Sequence, residues 1–167
     1  MWYAAVVNRD PTNVNYCLRT RLLLESDITH LSNGLAQCSS MTMTNDNNPR
    51  DDVQYYVFHV SSNAVQATFE TFGASGNVDL YVQYGPCLTN YPAFRGAVTN
   101  YPYLSTNIFT NTSLRFYPYA STNRGRTNET ICLVTNSLQV PLREGYWYAA
   151  VVNRDVPGKR VDYCVRA

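Results

Sequence analysis

The stretch YYVFHVSSNAVQATFETFGASGNVDLYVQYG, residues 55–85, decides the fold. Its apolar side chains recur every second residue, the period of a half-buried strand. Tyr56, Phe58 and Val60 fall on one face of a first strand. Val65, Ala67 and Phe69 fall on one face of a second. In a third, Val78, Leu80 and Val82 alternate with Asp79, Tyr81 and Gln83. The same reading extends outward. TICLV (130–134) and YWYAAVVN (146–153) are near-continuous apolar runs, as inner strands require. RVDYCVR (160–166) supplies the last strand. Turns rich in Gly, Asn, Ser and Pro separate these runs, and none shows a sustained 3.6-residue period. Only RLLLESDITHLSNG (21–34) is ambiguous, with Arg21–Glu25 fitting either a strand or a short helical turn. The pattern predicts an all-β chain, an Ig-like or jelly-roll-type antiparallel β-sandwich.

Composition agrees. The chain has 167 residues, 45% of them hydrophobic, with 14 tyrosines and only 15% charged residues. A net charge of +1, with Lys159 the only lysine, leaves no basic stripe for a phosphate backbone, so no nucleic-acid partner is expected. No apolar run approaches the roughly 20 residues of a membrane span. Met1 leads straight into a strand-like run without a basic leader, so no signal peptide is read and the chain is taken as mature, trimmed or cut from something longer. The five cysteines, Cys17, Cys38, Cys87, Cys132 and Cys164, form no C-x-x-C pair. With two histidines available they suggest disulfides rather than zinc. Sequons at Asn111 and Asn128 make these the expected glycosylation positions. Together these features predict a secreted protein, extracellular or on a cell surface.

Residues 55–85 also resemble the bacterial pre-peptidase C-terminal (PPC) domain family. The matching residues are Tyr56, Phe58 and Val60 in one strand, Gly76 in the turn, and Asp79-Leu80-Tyr81-Val82 in the next. NETICLV resembles the family's cysteine-bearing strand, PLREGYWYAAVVN its Gly-aromatic strand, and ITHLSNGLAQCSS its leading segment. The resemblance covers roughly residues 28–167. It implies a compact, non-catalytic β-sandwich of the kind appended to secreted hydrolases, whose relatives bind collagen, some with calcium. The departure is a long Tyr-Pro-rich insertion at about 89–120.

One feature lies outside that pattern. WYAAVVNRD at 2–10 recurs as residues 147–155, and VNYCLR at 14–19 matches VDYCVR at 161–166. Residues 1–19 are thus a second copy of the last hairpin, appended to a domain at 20–167 that carries its own. An isolated apolar hairpin is marginal in water and exposes unpaired edges. The resemblance suggests pairing Cys38 with Cys164 and Cys87 with Cys132, one of three connectivities open to four cysteines. Cys17 is then left over, and its natural partner is a Cys38 equivalent in an adjacent module. Three accounts compete: one period of a tandem array, strand donation to a neighbouring subunit, or an accidental duplication. The expected assembly segment comprises Trp2, Tyr3, Ala5, Val7, Tyr16 and Cys17, with Leu22 and Leu24 as an alternative inserted strand.

Other candidate sites are weaker. His30 and His59 lack the context of a nucleophile-base pair, and no Gly-x-Ser-x-Gly is present, so no enzyme is expected. Carboxylate pairs could be assembled from Asp51, Asp52, Asp79 or Glu70, but Asp79 reads as a structural residue of its strand. No cofactor is expected, with calcium at Asp46, Asp51 and Asp52 as the alternative. Tyr91, Tyr101, Tyr103, Tyr117 and Tyr119 form the candidate contact surface, for another copy of the protein ahead of a glycan. The sequence therefore predicts a structural unit of an extracellular filament or tandem array, a self-associating module. The alternative is an accessory carbohydrate- or protein-binding module of a secreted hydrolase.

Overall fold

The computed structural model describes residues 9, 11–12, 25–42, 53–85 and 119–167. The expected assembly residues Trp2, Tyr3, Ala5, Val7, Tyr16, Cys17, Leu22 and Leu24 lie outside them. So do the calcium candidates Asp46, Asp51 and Asp52, Cys87, Asn111 and four of the five contact tyrosines (Tyr91, Tyr101, Tyr103 and Tyr117).

A 3-10 turn at Glu25–Asp27 leads into β1 (Ile28–His30). There follow β2 (Gln37–Thr42), β3 (Val53–Val60), β4 (Gln66–Phe72), β5 (Val78–Tyr84) and β6 (Tyr119–Ser121). The chain ends with β7 (Glu129–Val134), β8 (Gly145–Asn153) and β9 (Arg160–Arg166). These strands form two sheets, ordered β1-β3-β8-β5-β6 and β2-β9-β4-β7. Every pairing is antiparallel except β1 with β3, which run parallel. This is the expected all-β sandwich.

The core sits between the sheets. Tyr56, Val60, Val78, Leu80, Val82, Trp147, Ala149 and Val151 enter it from the five-stranded sheet. Met41, Ala67, Phe69, Ile131, Leu133, Val161, Tyr163 and Val165 enter it from the other. Two-residue alternation therefore places the inner side chains correctly in β3 and β5. It misplaces Val65, which precedes β4 and is 75% exposed, so only Ala67 and Phe69 of that set face the core. TICLV is also not an inner strand. β7 lies at the edge of its sheet, and its burial alternates because Thr130 and Cys132 face outward. β8 is central as expected, between β3 and β5.

β8 is buried on both faces, which is what its unbroken apolar run needs. Val53, Tyr55, Val57, Ala150 and Val152 point away from the four-stranded sheet, yet each is at most 3% exposed. A two-layer sandwich ordinarily leaves such a face to water. Among the described residues, no helix is long and apolar enough to cross a membrane.

Candidate functional site

Of the segment that occurs twice in the sequence, the second copy is described in full. That copy, Trp147 to Asp155, runs through β8 and into the turn before β9. Trp147 is fully buried, its indole Nε1 donating to the Arg143 carbonyl at 3.0 Å. Tyr84 meets its ring edge-on at 5.3 Å between centroids. Asn153, also buried, accepts through Oδ1 from the Asp155 amide at 2.9 Å. Arg154 donates through Nε to Asp79 Oδ2 at 2.6 Å and through its guanidinium to the Tyr81 hydroxyl at 2.9 Å. Tyr81 donates in turn to Asp79 at 3.0 Å. Burial pushes the Tyr81 phenol up, with the Arg154 charge opposing it. Asp79 is thus the structural residue the sequence suggested, but its partner lies 75 positions away.

Asp155 closes the turn. Its carboxylate accepts from Lys159 Nζ at 2.5 Å, from the Val156 amide at 2.9 Å and from the Asn77 amide at 3.2 Å. The Lys159 contact is the main cause of its lowered pKa, with the backbone donors assisting. Gly76 is required beside it. A Cβ there would overlap Asp155 Oδ2 and come within 2.6 Å of Val161 Cγ2. The Gly-rich turn singled out in the sequence therefore serves close packing against the β8–β9 turn.

β9 carries the second half of the duplicated hairpin. Cys164 lies directly opposite Cys38 in the β2–β9 register, and the two form a disulfide on the outer face of the four-stranded sheet. This is the first of the two bridges expected from the resemblance. Cys132 is exposed and free on edge strand β7, and its expected partner Cys87 lies outside the described residues.

Beneath the disulfide, the sheets are joined by a polar cluster. The Tyr163 hydroxyl is 2.6 Å from that of Tyr56 and 2.6 Å from Gln54 Oε1. Tyr56 reaches the same oxygen at 3.0 Å, while Gln54 Nε2 donates to the Ser40 carbonyl at 3.1 Å. Burial raises both phenols, Tyr163 furthest because Tyr56 also stands against it. Folded values above the ordinary value of about 10 mean that this stabilisation is whole below that pH. It is lost as pH rises through the folded values. An alkaline titration followed by tyrosinate absorbance is expected to show late-ionising tyrosines that titrate together with the loss of circular dichroism. Ionisation of all tyrosines near their ordinary value, with the fold intact, would contradict this.

The remaining candidates scatter. His30 lies in β1 rather than in a polar leader, and pairs with Glu25 at 3.2 Å. His59 is exposed on β3, its ring meeting Tyr146 at 4.9 Å. Glu70 pairs with Arg166 and Asp79 with Arg154, while the other carboxylate candidates, Asp51 and Asp52, lie outside the described residues. Tyr119 packs on Trp147, and its hydroxyl donates to the Val140 carbonyl at 2.7 Å, so it seals the end of the core. Asn128 is exposed in the β6–β7 loop. Among the described residues, no group of three or more His, Cys, Asp and Glu converges as a metal site. Sequence reading missed the Tyr56–Tyr163–Gln54 cluster and the fully buried Glu129. The Glu129 carboxylate accepts from Ser121 at 2.5 Å and from Asn123 at 3.1 Å.

No family model matches the chain, and no curated protein matches it. Among solved structures, the chain is similar to the pre-peptidase C-terminal domain of a collagenase from Bacillus anthracis. The likeness covers 83% of this chain and 92% of that one, at 10% identity and a TM-score of 0.42.

Proposed function

We propose that this chain is a non-enzymatic, extracellular assembly module, one repeat of a tandem array or one subunit of a filament, linked through residues 1–19. One observation carries the reading. Gly145–Arg166 already supplies the central strand of one sheet and an inner strand of the other, so the copy of that hairpin at 1–19 is surplus to this sandwich. The copy retains the residues of β8 that make these contacts, although its turn is two residues shorter and has no counterpart of Lys159. Trp2, Asn8, Arg9 and Asp10 match Trp147, Asn153, Arg154 and Asp155. It is therefore chemically equipped to fill the same place in another sandwich. Cys17 matches Cys164, whose partner is Cys38, so the partner of Cys17 is a Cys38 equivalent elsewhere.

Occupation of the β8 position by the chain's own strand favours the tandem array over donation, since donation would have to displace a strand paired on both sides. Peptide mapping of unreduced protein from its natural source tests the reading. The expected product is a Cys17 peptide bridged to a Cys38-type peptide of another module. Reduction under denaturing conditions then separates a filament into single chains but leaves a covalent array intact. A monomer with free Cys17 would overturn both forms of the proposal.

A further inference from the structure

β4 outruns its neighbour β9. Glu70, Thr71 and Phe72 pair with Arg166, Val165 and Cys164, and there the ladder stops. Gln66, Ala67, Thr68 and Phe69 pair with β7 on one side and, among the described residues, with no strand on the other. Successive residues of an antiparallel strand turn their backbone groups to alternate sides, so two of these four aim N–H and C=O away from β7.

A cleft of about 820 Å³ lies along that free side, a size typical of ligand sites. Phe58 and Val60 of the facing sheet line it, with the turn at 31–34 as the wall opposite β4. It stands in line with β9, beyond Arg166. Both lips are fixed turns. Gly34 N donates to the Ala167 carbonyl at 2.7 Å and Leu35 N to the Ser32 carbonyl at 3.0 Å. Ala64 N donates to the Ser61 carbonyl at 3.1 Å and closes the turn after β3. Asn33, Gly34, Gln66 and Arg166 are exposed, so the mouth is open to solvent.

We propose that this cleft takes an extended, uncharged peptide segment from a partner protein, which adds to the free side of β4 as a short strand. Four strand residues rise about 13 Å, the length of β4 that β9 leaves unpaired. The side chains around the cleft set the chemistry of the segment. Its residue opposite Ala67 turns inward, toward Phe58 and the core, and is apolar. Those opposite Gln66 and Thr68 turn outward, beside an amide and a hydroxyl, and are polar. Glu70 and Arg166 pair with each other across the end of the cleft, so they call for no charge in the ligand. A saccharide matches the polar rim but cannot continue a ladder. This site goes beyond the assembly role and does not depend on how Cys17 is bridged.

NMR titration of the isotope-labelled full chain with a capped, neutral pentapeptide alternating threonine and valine tests the proposal. Millimolar peptide is expected to shift the amides of Gln66, Ala67, Thr68 and Phe69 and to slow hydrogen exchange at those facing the cleft. The depsipeptide analogue, with ester links in place of the peptide bonds, keeps the side chains but donates nothing. It is expected to bind roughly tenfold more weakly. Ala64→Trp, which narrows the mouth, should abolish the shifts; the depsipeptide comparison on the parent chain decides the matter even if that variant fails to fold. No shift in β4 with the peptide, or equal binding of the two analogues, would overturn strand addition. Shifts with cellohexaose and none with the peptide would overturn it in favour of a saccharide. Shifts at these residues that grow with protein concentration alone would overturn it in favour of a second copy.

Discussion

Replacing both Cys38 and Cys164 by serine is expected to lower the free energy of unfolding by about 2–5 kcal/mol. The bridge spans 126 residues of sequence, so its loss frees a large part of the unfolded chain. In the chain-entropy account, a loop of this size lies at the upper end of that range. The folded state suffers as well. Among the described residues β2 is an edge strand with β9 as its only neighbour, and a single residue of its six, Met41, is buried. Little apolar area holds β2 once the bridge is gone. Its loosening would reach inward, because the Ser40 carbonyl accepts from Gln54, which orients the two buried tyrosine hydroxyls. Urea unfolding followed by circular dichroism gives the size of the effect. Hydrogen exchange gives its place, with residues 37–42 and then the Tyr56–Tyr163 cluster losing protection first. A variant as stable as the parent would show that β2 is held by its ladder alone.

How much of this was legible in the sequence depends on where each signal lives. β3, β4, β5, β8 and β9 announce themselves because a strand with one wet face must alternate, and a central one must not. β2 does not, because QCSSMT offers no apolar period; what holds it is a covalent bond whose partner lies in β9. TICLV suggested an inner strand because Cys132 counts as apolar, yet that thiol faces outward from an edge. The Asp79–Arg154–Tyr81 cluster and the tyrosine pair were not legible, since each joins residues far apart in sequence through the sheet register. The dry outer face was half visible. Tyr55, Val57, Ala150 and Val152 interrupt the polar half of the alternation, which is a sign of burial on both sides. The duplicated hairpin was plain in the sequence, but the use made of each of its residues emerged only from the copy in β8.

That copy also yields the second large effect. Trp147→Ala is expected to destabilise the chain by about 3–5 kcal/mol. The indole lies on the central strand, opposite Phe58 of β3 and Tyr84 of β5. It is fully buried and touches the rings of Tyr84 and Tyr119. Truncation leaves a cavity that flanking strands can close only by distorting two ladders. It also removes the donor to the Arg143 carbonyl. Tyr84 and Tyr119 both hydrogen-bond into the same connection, at Glu144 and Val140, so losing their packing partner loosens residues 140–144. Trp147→Phe keeps most of the volume and should cost less. The decisive comparison is Trp2→Ala, a truncation within the same nine-residue sequence. If residues 1–19 belong to a neighbouring sandwich, Trp2→Ala leaves this domain's unfolding midpoint nearly unchanged while Trp147→Ala shifts it strongly. Equal shifts would mean that both tryptophans anchor the same core, and the surplus-hairpin reading would fall.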